Sequence, residues 1–307
     1  MGEEVIEIGS RRIEAANLDD VIFPELGITQ GDLITIYRRL ANSMLPHLED
    51  RPLTMERYPD GLDQEGFYQR RAPSYFPDWV RRVSVHVKED DGEQPAVVCD
   101  DEATLVYLVD QGLITPHVWL SRAEQLTRPD KLIFDLDPPD DDFDRVRFAG
   151  ELLHDILSEL GLASFVMTTG SRGAHVVVPL VREDDFDGTR AFAQDVADLA
   201  AAKEPDRLTV EMRKEERGEK VFVDTLRNVY GQNSVAPYAV RAKAGAPVAT
   251  PLEWDEFSDG SLHSQSYTVE NIFRRLGQKA DPWADIIEEA QSLGEARRRL
   301  EESDDHD

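Results

Sequence analysis

The 307-residue chain has a single cysteine, Cys99, which excludes a disulfide framework or a four-cysteine zinc site within it. It has no apolar run of about 18 residues, so the sequence predicts no transmembrane helix. Its first residues, MGEEVIEIGS, lack the basic and apolar regions of a secretory signal. We therefore expect a cytoplasmic protein without a membrane partner.

Basic residues are also scarce, because 34 Lys and Arg face 62 Asp and Glu and leave a net charge of −28. Only seven of the basic residues are lysines. A negative charge of this size opposes non-specific binding to nucleic acid. The composition is typical of proteins that work in concentrated salt, where the Debye length falls to about 3 Å, although a high-GC genome would also favour arginine over lysine.

The middle of the chain alternates strand and helix patterns, which indicates an α/β fold. The order β-α-β-β-α-β is typical of an RRM-like split βαβ core. The predicted strands are 131–135, 164–168, 174–180, 208–212 and 220–224, and the predicted amphipathic helices are 143–160 and 188–202.

The flanking segments are less regular. We predict a helix over 31–48, a strand over 83–87 and a hairpin turn over 90–93. The segment 255–307 is predicted to be mainly helical, with apolar periodicity over 272–276 and 286–300.

Two aspartates end the apolar predicted strand KLIFDLD. Asp135 and Asp137 are two residues apart, so a strand points both carboxylates to one face. Close carboxylates raise each other's pKa unless a cation lies between them, and hard oxygen ligands suit Mg²⁺ or Mn²⁺. Asp224 ends another apolar strand, KVFVD, and a sheet could bring it to the same site. The alternative is three solvated acids in a very acidic chain.

A glycine turn, TTGSRGAH, lies between two predicted strands. Its backbone amides could form an anion-binding nest, and the side chains of Thr169, Ser171 and Arg172 add donors for phosphate oxygens. His175 begins the next strand and could face the same site. The alternative is an ordinary hairpin with a histidine at its base.

Arginines and aromatic residues interleave between residues 57 and 82. Aromatic rings offer stacking surfaces to bases, and arginine neutralises phosphate. This stretch is nearly neutral and 207–243 is slightly positive, so we expect both to line any nucleic-acid channel. The alternative is a set of core aromatics with a solvated rim. The interleaved residues are Arg57, Phe67, Tyr68, Arg70, Arg71, Tyr75, Phe76, Trp79, Arg81 and Arg82.

Four motifs together resemble the polymerase domain of bacterial ligase D, a branch of the archaeo-eukaryotic primase superfamily. They are RPLTMERYPDG, DLDP, TTGSRGAHVVVPL, and KVFVDTLRN followed by SVAPYAVRAKAGAPVATPLEW. The resemblance runs from about Asn17 to Trp254. It implies an α/β (α+β) primase-polymerase fold, with an RRM-like split βαβ catalytic core and helical N- and C-terminal additions.

The implied organisation is a single primase-polymerase domain over 1–300, followed by an acidic tail over 301–307. Within the domain we expect an N-terminal lobe that contacts the template at about 17–130. A catalytic core at about 131–254 and C-terminal helices at about 255–300 complete it. No ligase or nuclease module is expected in a chain of this length, so the resemblance is to a stand-alone polymerase.

The resemblance implies a template-dependent nucleotidyltransferase that extends a primer by two-metal phosphoryl transfer. We expect gap filling or end processing in double-strand-break repair by non-homologous end joining, often with a preference for ribonucleotides. Two Mn²⁺ or Mg²⁺ ions are the expected cofactors, and a nucleoside triphosphate (NTP or dNTP) is the expected substrate. The expected partners are gapped or broken DNA, a separate ATP-dependent ligase and Ku, in the cytoplasm at the nucleoid.

Site residues are carried over by position. The catalytic, metal-binding carboxylates are Asp135, Asp137 and Asp224. The nucleotide-binding residues are His117, Thr169, Ser171, Arg172, His175, Arg217, Arg227 and Arg241. The template-binding residues are Arg57, Phe67, Tyr68 and Arg70.

The chain departs from the family at three positions. Asp20 and Gln30 stand where many relatives carry lysines that grip a downstream 5′-phosphate. Glu56 stands where a further lysine is common. These substitutions weaken the expectation of 5′-phosphate-directed gap recognition, whereas Arg172 replaces a lysine and keeps its charge.

Two other functions fit parts of the sequence. In a haloacid-dehalogenase-type phosphatase, Asp135 would be the nucleophile and Asp137 the general acid. Pro138 and Pro139 follow directly, where that family prefers a Gly-Thr-like turn. A catalytically silent DNA-binding module is the second alternative, and the intact set of three acids argues against it.

Overall fold

A computed structural model describes residues 4–87 and 92–304. Residues 90 and 91 of the predicted hairpin turn and residues 305–307 of the predicted acidic tail lie outside the described residues. The rest of that tail, as far as Asp304, continues the last helix.

The described chain mixes strands and helices throughout. The strands are β1 (Glu4–Ile8), β2 (Arg11–Ala15), β3 (Val21–Phe23), β4 (Ile28–Thr29), β5 (Pro52–Arg57), β6 (Phe67–Gln69), β7 (Arg82–Val87), β8 (Gly92–Val98), β9 (Leu113–Trp119), β10 (Lys131–Asp137), β11 (Phe165–Thr168), β12 (Ala174–Pro179), β13 (Leu208–Thr209), β14 (Val221–Asp224), β15 (Asn233–Val235) and β16 (Thr250–Leu252). The α-helices are α1 (Gln30–Leu48), α2 (Glu102–Asp110), α3 (Phe143–Glu159), α4 (Phe186–Lys203), α5 (Trp254–Phe257), α6 (Ile272–Leu276) and α7 (Gly294–Asp304).

The chain forms two compact units, each assembled from separate segments. The first unit contains 1–124, 233–249 and 267–278, and the second contains 125–232, 250–266 and 279–307. These boundaries differ from the contiguous lobes expected from the sequence, because the chain returns twice to the first unit. On the first return β15 pairs with β9, and on the second the Tyr267 carbonyl accepts from the Val248 amide at 2.8 Å.

The first unit is built on a sheet in the order β15-β9-β5-β8-β7, with β6 paired to β5. Helix α1 begins with a capping box, in which Thr29 and Asp32 each accept from the other's backbone amide. Its apolar face is buried, and within that face the Tyr37 hydroxyl donates to the Ile114 carbonyl on β9. The same hydroxyl accepts from the Val240 amide at 3.1 Å, so it fixes the segment that carries Arg241 beside β9.

The second unit is built on a sheet in the order β13-β14-β10-β12-β11-β16. Its strands β14-β10-β12-β11 are antiparallel neighbours, and α3 and α4 connect them as in an RRM. The predicted split βαβ core is therefore confirmed. Leu136 on β10 faces Gly150 of α3, so the residues on either side of it point to the opposite face of the sheet.

The additions to the core differ from expectation in three details. The N-terminal addition contains strands as well as helix α1, because β1 and β2 form a hairpin ahead of it. The C-terminal addition is not mainly helical, because α5, α6 and α7 are short and turns separate them. The periodic segment 286–300 is helical only from Gly294, since Gln291 instead pairs its backbone with Pro179 and Val181 at the end of β12.

Cys99 is fully buried, and this burial raises the pKa of its thiol well above the usual value. Among the described residues, no helix combines the length and apolar character needed to cross a bilayer.

Candidate active site

Three strands of the second unit bring acidic and imidazole side chains to one face. Asp135 on β10 lies directly opposite His175 on β12 and opposite Asp224 on β14. Asp137 is two residues further along β10 and therefore shares that face. One oxygen from each of the three aspartates lies within 4.8 Å of the others. The carboxylates that the sequence predicted to converge do so.

Asp135 is held by an imidazole and a guanidinium group. His175 Nε2 lies 3.4 Å from its Oδ1, and Arg227 Nε donates to its Oδ2 at 3.0 Å. Burial alone would raise the pKa of Asp135, but the charges and hydrogen bonds of His175 and Arg227 outweigh it and hold that pKa well below its usual value. Asp135 is therefore ionised at any working pH.

The other two carboxyl groups are shifted the opposite way. Burial, followed by repulsion from Asp135 and Asp224, raises the pKa of Asp137 to about 6. Burial and Asp135 also raise the pKa of Asp224, although its Oδ1 accepts from the Leu226 amide at 2.7 Å. A bound cation would relieve this repulsion, and an all-oxygen donor set suits a hard divalent ion. The three aspartates therefore fit a divalent metal site.

His175 keeps one ring nitrogen available. The residue is 3 % exposed, and its Nδ1 has no hydrogen-bond partner among the described atoms. Because a buried polar atom without a partner is costly, a ligand oxygen at this position would be favoured. This arrangement suits the nucleotide-binding role expected for His175.

The glycine turn after β11 packs directly against β10. A Cβ on Gly173 would lie 1.9 Å from the Leu136 carbonyl oxygen, so only glycine fits. Thr169 and Ser264 both donate their hydroxyls to the Gly173 carbonyl, at 3.0 and 2.7 Å. The Thr169 hydroxyl therefore holds the turn together, whereas the Arg172 side chain is exposed and its charge reaches Asp137.

The remaining turn contacts involve a residue that the sequence did not single out. Gln265 donates from Nε2 to the Ser171 carbonyl at 2.8 Å and so fixes the turn from outside. Gln265 and Ser264 lie more than 90 residues from the turn, so no local sequence pattern could have identified them as its partners.

Arg217, which was predicted to bind nucleotide, and Asn228, which was not, both have structural partners. Arg217 donates to the Glu211 and Met212 carbonyls at 2.8 Å each and stacks 3.6 Å over the Phe222 ring. Asn228, next to Arg227, is fully buried and exchanges hydrogen bonds with the Ile133 backbone at 2.9 and 2.8 Å. It continues the pairing of β10 beyond the end of β14.

The first unit holds a second polar cluster. His117 on β9 places Nε2 3.4 Å from Glu56 Oε2, and its ring meets the edge of Tyr68 at 5.7 Å. Burial would raise the pKa of Glu56, but His117 and Arg241 together lower it. Glu56 was predicted only as a departure from the family, and in the structure its carboxylate interacts with two predicted nucleotide-binding residues, His117 and Arg241.

The predicted template residues also lie in the first unit. Phe67 and Tyr68 are 46 % and 62 % exposed, and Arg70 is exposed. Arg57 differs from this expectation, because it is buried and its guanidinium donates to the Gln111 carbonyl, Gln69 and Tyr75. It organises its neighbours rather than offering a free cation to a phosphate.

The two family lysine positions carry no cation here. Asp20 is exposed, and Gln30 is buried with Nε2 donating to the Val109 carbonyl at 2.6 Å. The Gln30 side chain therefore has a structural role within the first unit.

Comparison with known proteins agrees with this arrangement. The family description "LigD, primase-polymerase domain" matches residues 29–283. The Pseudomonas aeruginosa protein "Multifunctional non-homologous end joining protein LigD" is 33% identical over 282 residues, which are 91% of this chain and 33% of that protein. The Bacillus subtilis "Bifunctional non-homologous end joining protein LigD" is 30% identical over 282 residues, 91% of this chain and 45% of that protein. The chain thus spans less than half the length of either relative.

A solved structure has the same fold. The polymerase domain from Mycobacterium tuberculosis Ligase D in complex with DNA superposes with a TM-score of 0.85 at 27% identity. The match covers 92% of this chain and 100% of that one, which confirms the expected primase-polymerase fold. The chain therefore belongs to the LigD primase-polymerase domain family, a family of nucleotidyltransferases of DNA end repair.

Proposed function

We propose that this chain extends the 3′ end of a primer by template-directed nucleotidyl transfer. The primer hydroxyl oxygen bonds to the α-phosphorus of a nucleoside triphosphate, the bond from that phosphorus to the bridging oxygen breaks, and pyrophosphate leaves with the hydroxyl proton passing to solvent. The observation that carries the proposal is the cluster of Asp135, Asp137 and Asp224, whose oxygens converge within 4.8 Å.

The carboxylates would hold the metal. When bound, two divalent ions would lower the pKa of the attacking hydroxyl and stabilise charge on the leaving pyrophosphate. Arg227 and His175 keep Asp135 ionised and oriented, and each carboxylate oxygen retains a lone pair for a ligand. The two raised carboxyl pKa values, of Asp137 and Asp224, mark the positions where a cation is most needed.

Other residues would bind the triphosphate and the template. His175, Ser171 and Arg172 would contact phosphate oxygens, which the unpartnered Nδ1 of His175 and the effect of the Arg172 charge on Asp137 support, while Thr169 shapes the turn. His117, Arg217, Arg227 and Arg241 complete the proposed nucleotide set. Phe67, Tyr68 and Arg70 would contact the template. Arg57 would hold the Phe67 ring in place, because its guanidinium carbon lies 5.4 Å from the ring centre.

The finer assignments are part of the same proposal. Mn²⁺ or Mg²⁺ would serve as the ion, and NTP or dNTP as the substrate, with a preference for ribonucleotides. Gapped or broken DNA would be the nucleic-acid partner, with a separate ATP-dependent ligase and Ku acting on the same ends at the nucleoid. The names of the relatives, which refer to non-homologous end joining, support this setting.

The phosphatase alternative fits less well. In that family a Gly-Thr-like turn is preferred after the two aspartates, whereas Pro138 and Pro139 follow directly here. A catalytically silent DNA-binding module does not explain why the three carboxylates converge.

Primer extension on a gapped duplex tests the proposal, with Mn²⁺ or Mg²⁺ and with NTPs or dNTPs in parallel. Asp137→Ala should reduce addition by about a hundredfold or more, because it removes one metal ligand from the reacting centre. Asp187→Ala, which removes an exposed carboxylate in the first turn of α4, is the matched control and should leave addition unchanged. Absence of addition by the wild-type protein under every condition would refute the proposal.

A further inference from the structure

Exposed aromatic rings are confined to one short segment of the first unit. Among the described residues, the large aromatic side chains on the surface are Phe67, Tyr68 and Tyr75, and Tyr75 is 62% exposed. Exposed rings lose favourable burial, so their concentration within nine residues calls for a partner. Phe67 and Tyr68 belong to the predicted template site, whereas Tyr75 was only one of the interleaved rings of 57–82 and has been assigned no ligand of its own.

Arg57 ties Tyr75 to Phe67. Its Nη1 donates to the Tyr75 hydroxyl at 3.3 Å, and its guanidinium carbon lies 5.4 Å from the centre of the Phe67 ring. Its other donors go to the Gln111 carbonyl and to Gln69. One buried guanidinium therefore holds two exposed rings on the same part of the surface.

Tyr75 is supported from its other side by buried rings. Its ring meets Phe76 edge-to-face at 5.2 Å, and Phe76 meets Tyr107 in the same way at 5.2 Å. Phe76 is 2% exposed, so Tyr75 rests on a rigid base and keeps its ring outside. A ring that is held in place loses little conformational entropy when a ligand stacks on it.

Charge indicates which ligand suits this surface. Arg70 and Arg71 are exposed and form no ion pair within the part of the chain that the structure describes. Unpaired arginines are conspicuous in a protein with a net charge of −28. Exposed aromatic faces and unpaired guanidinium groups within the one segment 67–75 match a ligand that carries both bases and phosphates.

We propose that Tyr75 stacks on an unpaired base of single-stranded nucleic acid and that Arg71 contacts the adjoining phosphate, which extends the surface of Phe67 and Tyr68 along the strand. This inference rests on the proposed function, because it names the part of the template that the first unit grips. The ligand is a single strand rather than a duplex, since a base inside a duplex has both faces covered by its neighbours.

Equilibrium binding without nucleotide or metal tests this inference. Fluorescence anisotropy would compare a primed duplex that ends in a short single-stranded template extension with the same duplex whose extension is abasic. The wild-type protein should prefer the extension with bases by about tenfold, which is the contribution expected from base stacking. Tyr75→Ala should lose most of this preference, and Tyr75→Phe, which keeps the ring, should retain it.

Arg71→Ala tests the phosphate contact. It should weaken binding to both extensions by a similar factor, because phosphates remain when bases are removed. Arg190→Ala removes another exposed arginine without an ion pair in the described chain, on α4, and serves as the charge-matched control. Circular dichroism would establish that each variant is folded.

The outcomes separate this inference from the proposed function. If Tyr75→Ala keeps the full wild-type preference for bases, or if Arg71→Ala binds like Arg190→Ala, the inference is wrong, whatever the protein does with nucleotides. If the preference depends on Tyr75 but the wild-type protein adds no nucleotide, the proposed function fails and the single-strand surface stands.

Discussion

Two arginines, one in each unit, have contrasting surroundings. Arg227 in the second unit donates to the carboxylate of Asp135, and the neighbouring acids raise the pKa of its guanidinium although burial opposes this. Arg57 in the first unit is more deeply buried and donates to a carbonyl, an amide oxygen and a hydroxyl. In the part of the chain that the structure describes, no carboxylate neutralises Arg57.

The contrast shows how one residue type serves opposite purposes. Around Arg227, burial and mutual repulsion keep the pKa values of Asp137 and Asp224 raised in spite of the nearby arginines, so the cluster retains a demand for cations. Around Arg57, neutral oxygens satisfy the guanidinium and the surroundings are aromatic, so Arg57 supports a surface of rings and leaves phosphate binding to exposed arginines. The sign of the local charge, and not the −28 of the whole chain, determines what each site attracts.

Removing the Arg227 guanidinium should have the largest effect on this contrast. Arg227→Met should reduce nucleotide addition by about a hundredfold, because Asp135 loses a charged hydrogen bond and the carboxylates repel one another more strongly. The free energy of unfolding should fall by about 2 kcal/mol. Steady-state kinetics and urea denaturation measure the two effects.

Arg227→Lys and Arg172→Met serve as controls for this prediction. The lysine variant keeps the charge and should recover part of the activity. Arg172→Met removes an exposed cation near the same carboxylates and should leave the free energy of unfolding nearly unchanged, although it would lower activity. Equal stability of Arg227→Met and the wild-type protein would show that Arg227 does not support the cluster.

The second largest effect should come from pH, because the carboxylate cluster of the second unit titrates, whereas the groups that accept from Arg57 are neutral. The pKa of Asp137 is raised from 3.8 to about 6, so the stability that this carboxyl contributes is complete below pH 3.8 and is lost as the pH rises through about 6. Mn²⁺ binding competes with that proton, and Mn²⁺ affinity should fall by up to about tenfold per pH unit below about pH 6.

Calorimetry from pH 5 to 8, with Mn²⁺ or with a chelator, checks this behaviour. Without metal, the wild-type protein should lose melting temperature relative to Asp137→Asn as the pH rises through about 6, and Mn²⁺ should reverse the loss. A constant difference between the two proteins across this range would contradict the raised pKa of Asp137.

The smallest effect is expected from a substitution of Glu56 in the first unit, which should change only the KM for nucleotide. Glu56→Gln keeps the shape of the side chain but removes the negative charge that faces His117 and Arg241. If these two residues bind the triphosphate, the variant should lower KM for nucleotide a few-fold and leave kcat nearly constant, because only binding becomes more favourable. A higher KM would instead show that Glu56 orients His117.

The catalytic half of the fold could be predicted because its signals are local. The two-residue spacing of Asp135 and Asp137 places both carboxylates on one face of a strand. The apolar strand before Asp224 made that residue a candidate for the same site, and its register opposite Asp135 brings it there. Helical periodicity likewise located α3 and α4 to within a few residues. These elements come from one continuous stretch of the chain, although their order in the sheet, β14-β10-β12-β11, differs from their order in the sequence.

The sheet of the first unit and several partners of the site residues depend on contacts between residues that are distant in the sequence. Strand β9 is buried at every position and contains Pro116, so it shows neither alternation nor a clean run, and the sheet of the first unit was not predicted. Ser264 reaches Gly173 from 91 residues away, and Glu56 meets His117 across 61 residues. Such pairs become visible only once the strands are in register.

The burial of Cys99 has a practical consequence. A thiol without solvent access and with a raised pKa reacts slowly with oxidants and alkylating reagents, so Cys99 should remain unlabelled by thiol reagents in the folded protein. A second cysteine introduced on the surface, for example by Ser74→Cys beside Tyr75, would then be the one site that accepts a fluorophore. The chain thus permits a single probe to report directly when a strand covers its exposed rings.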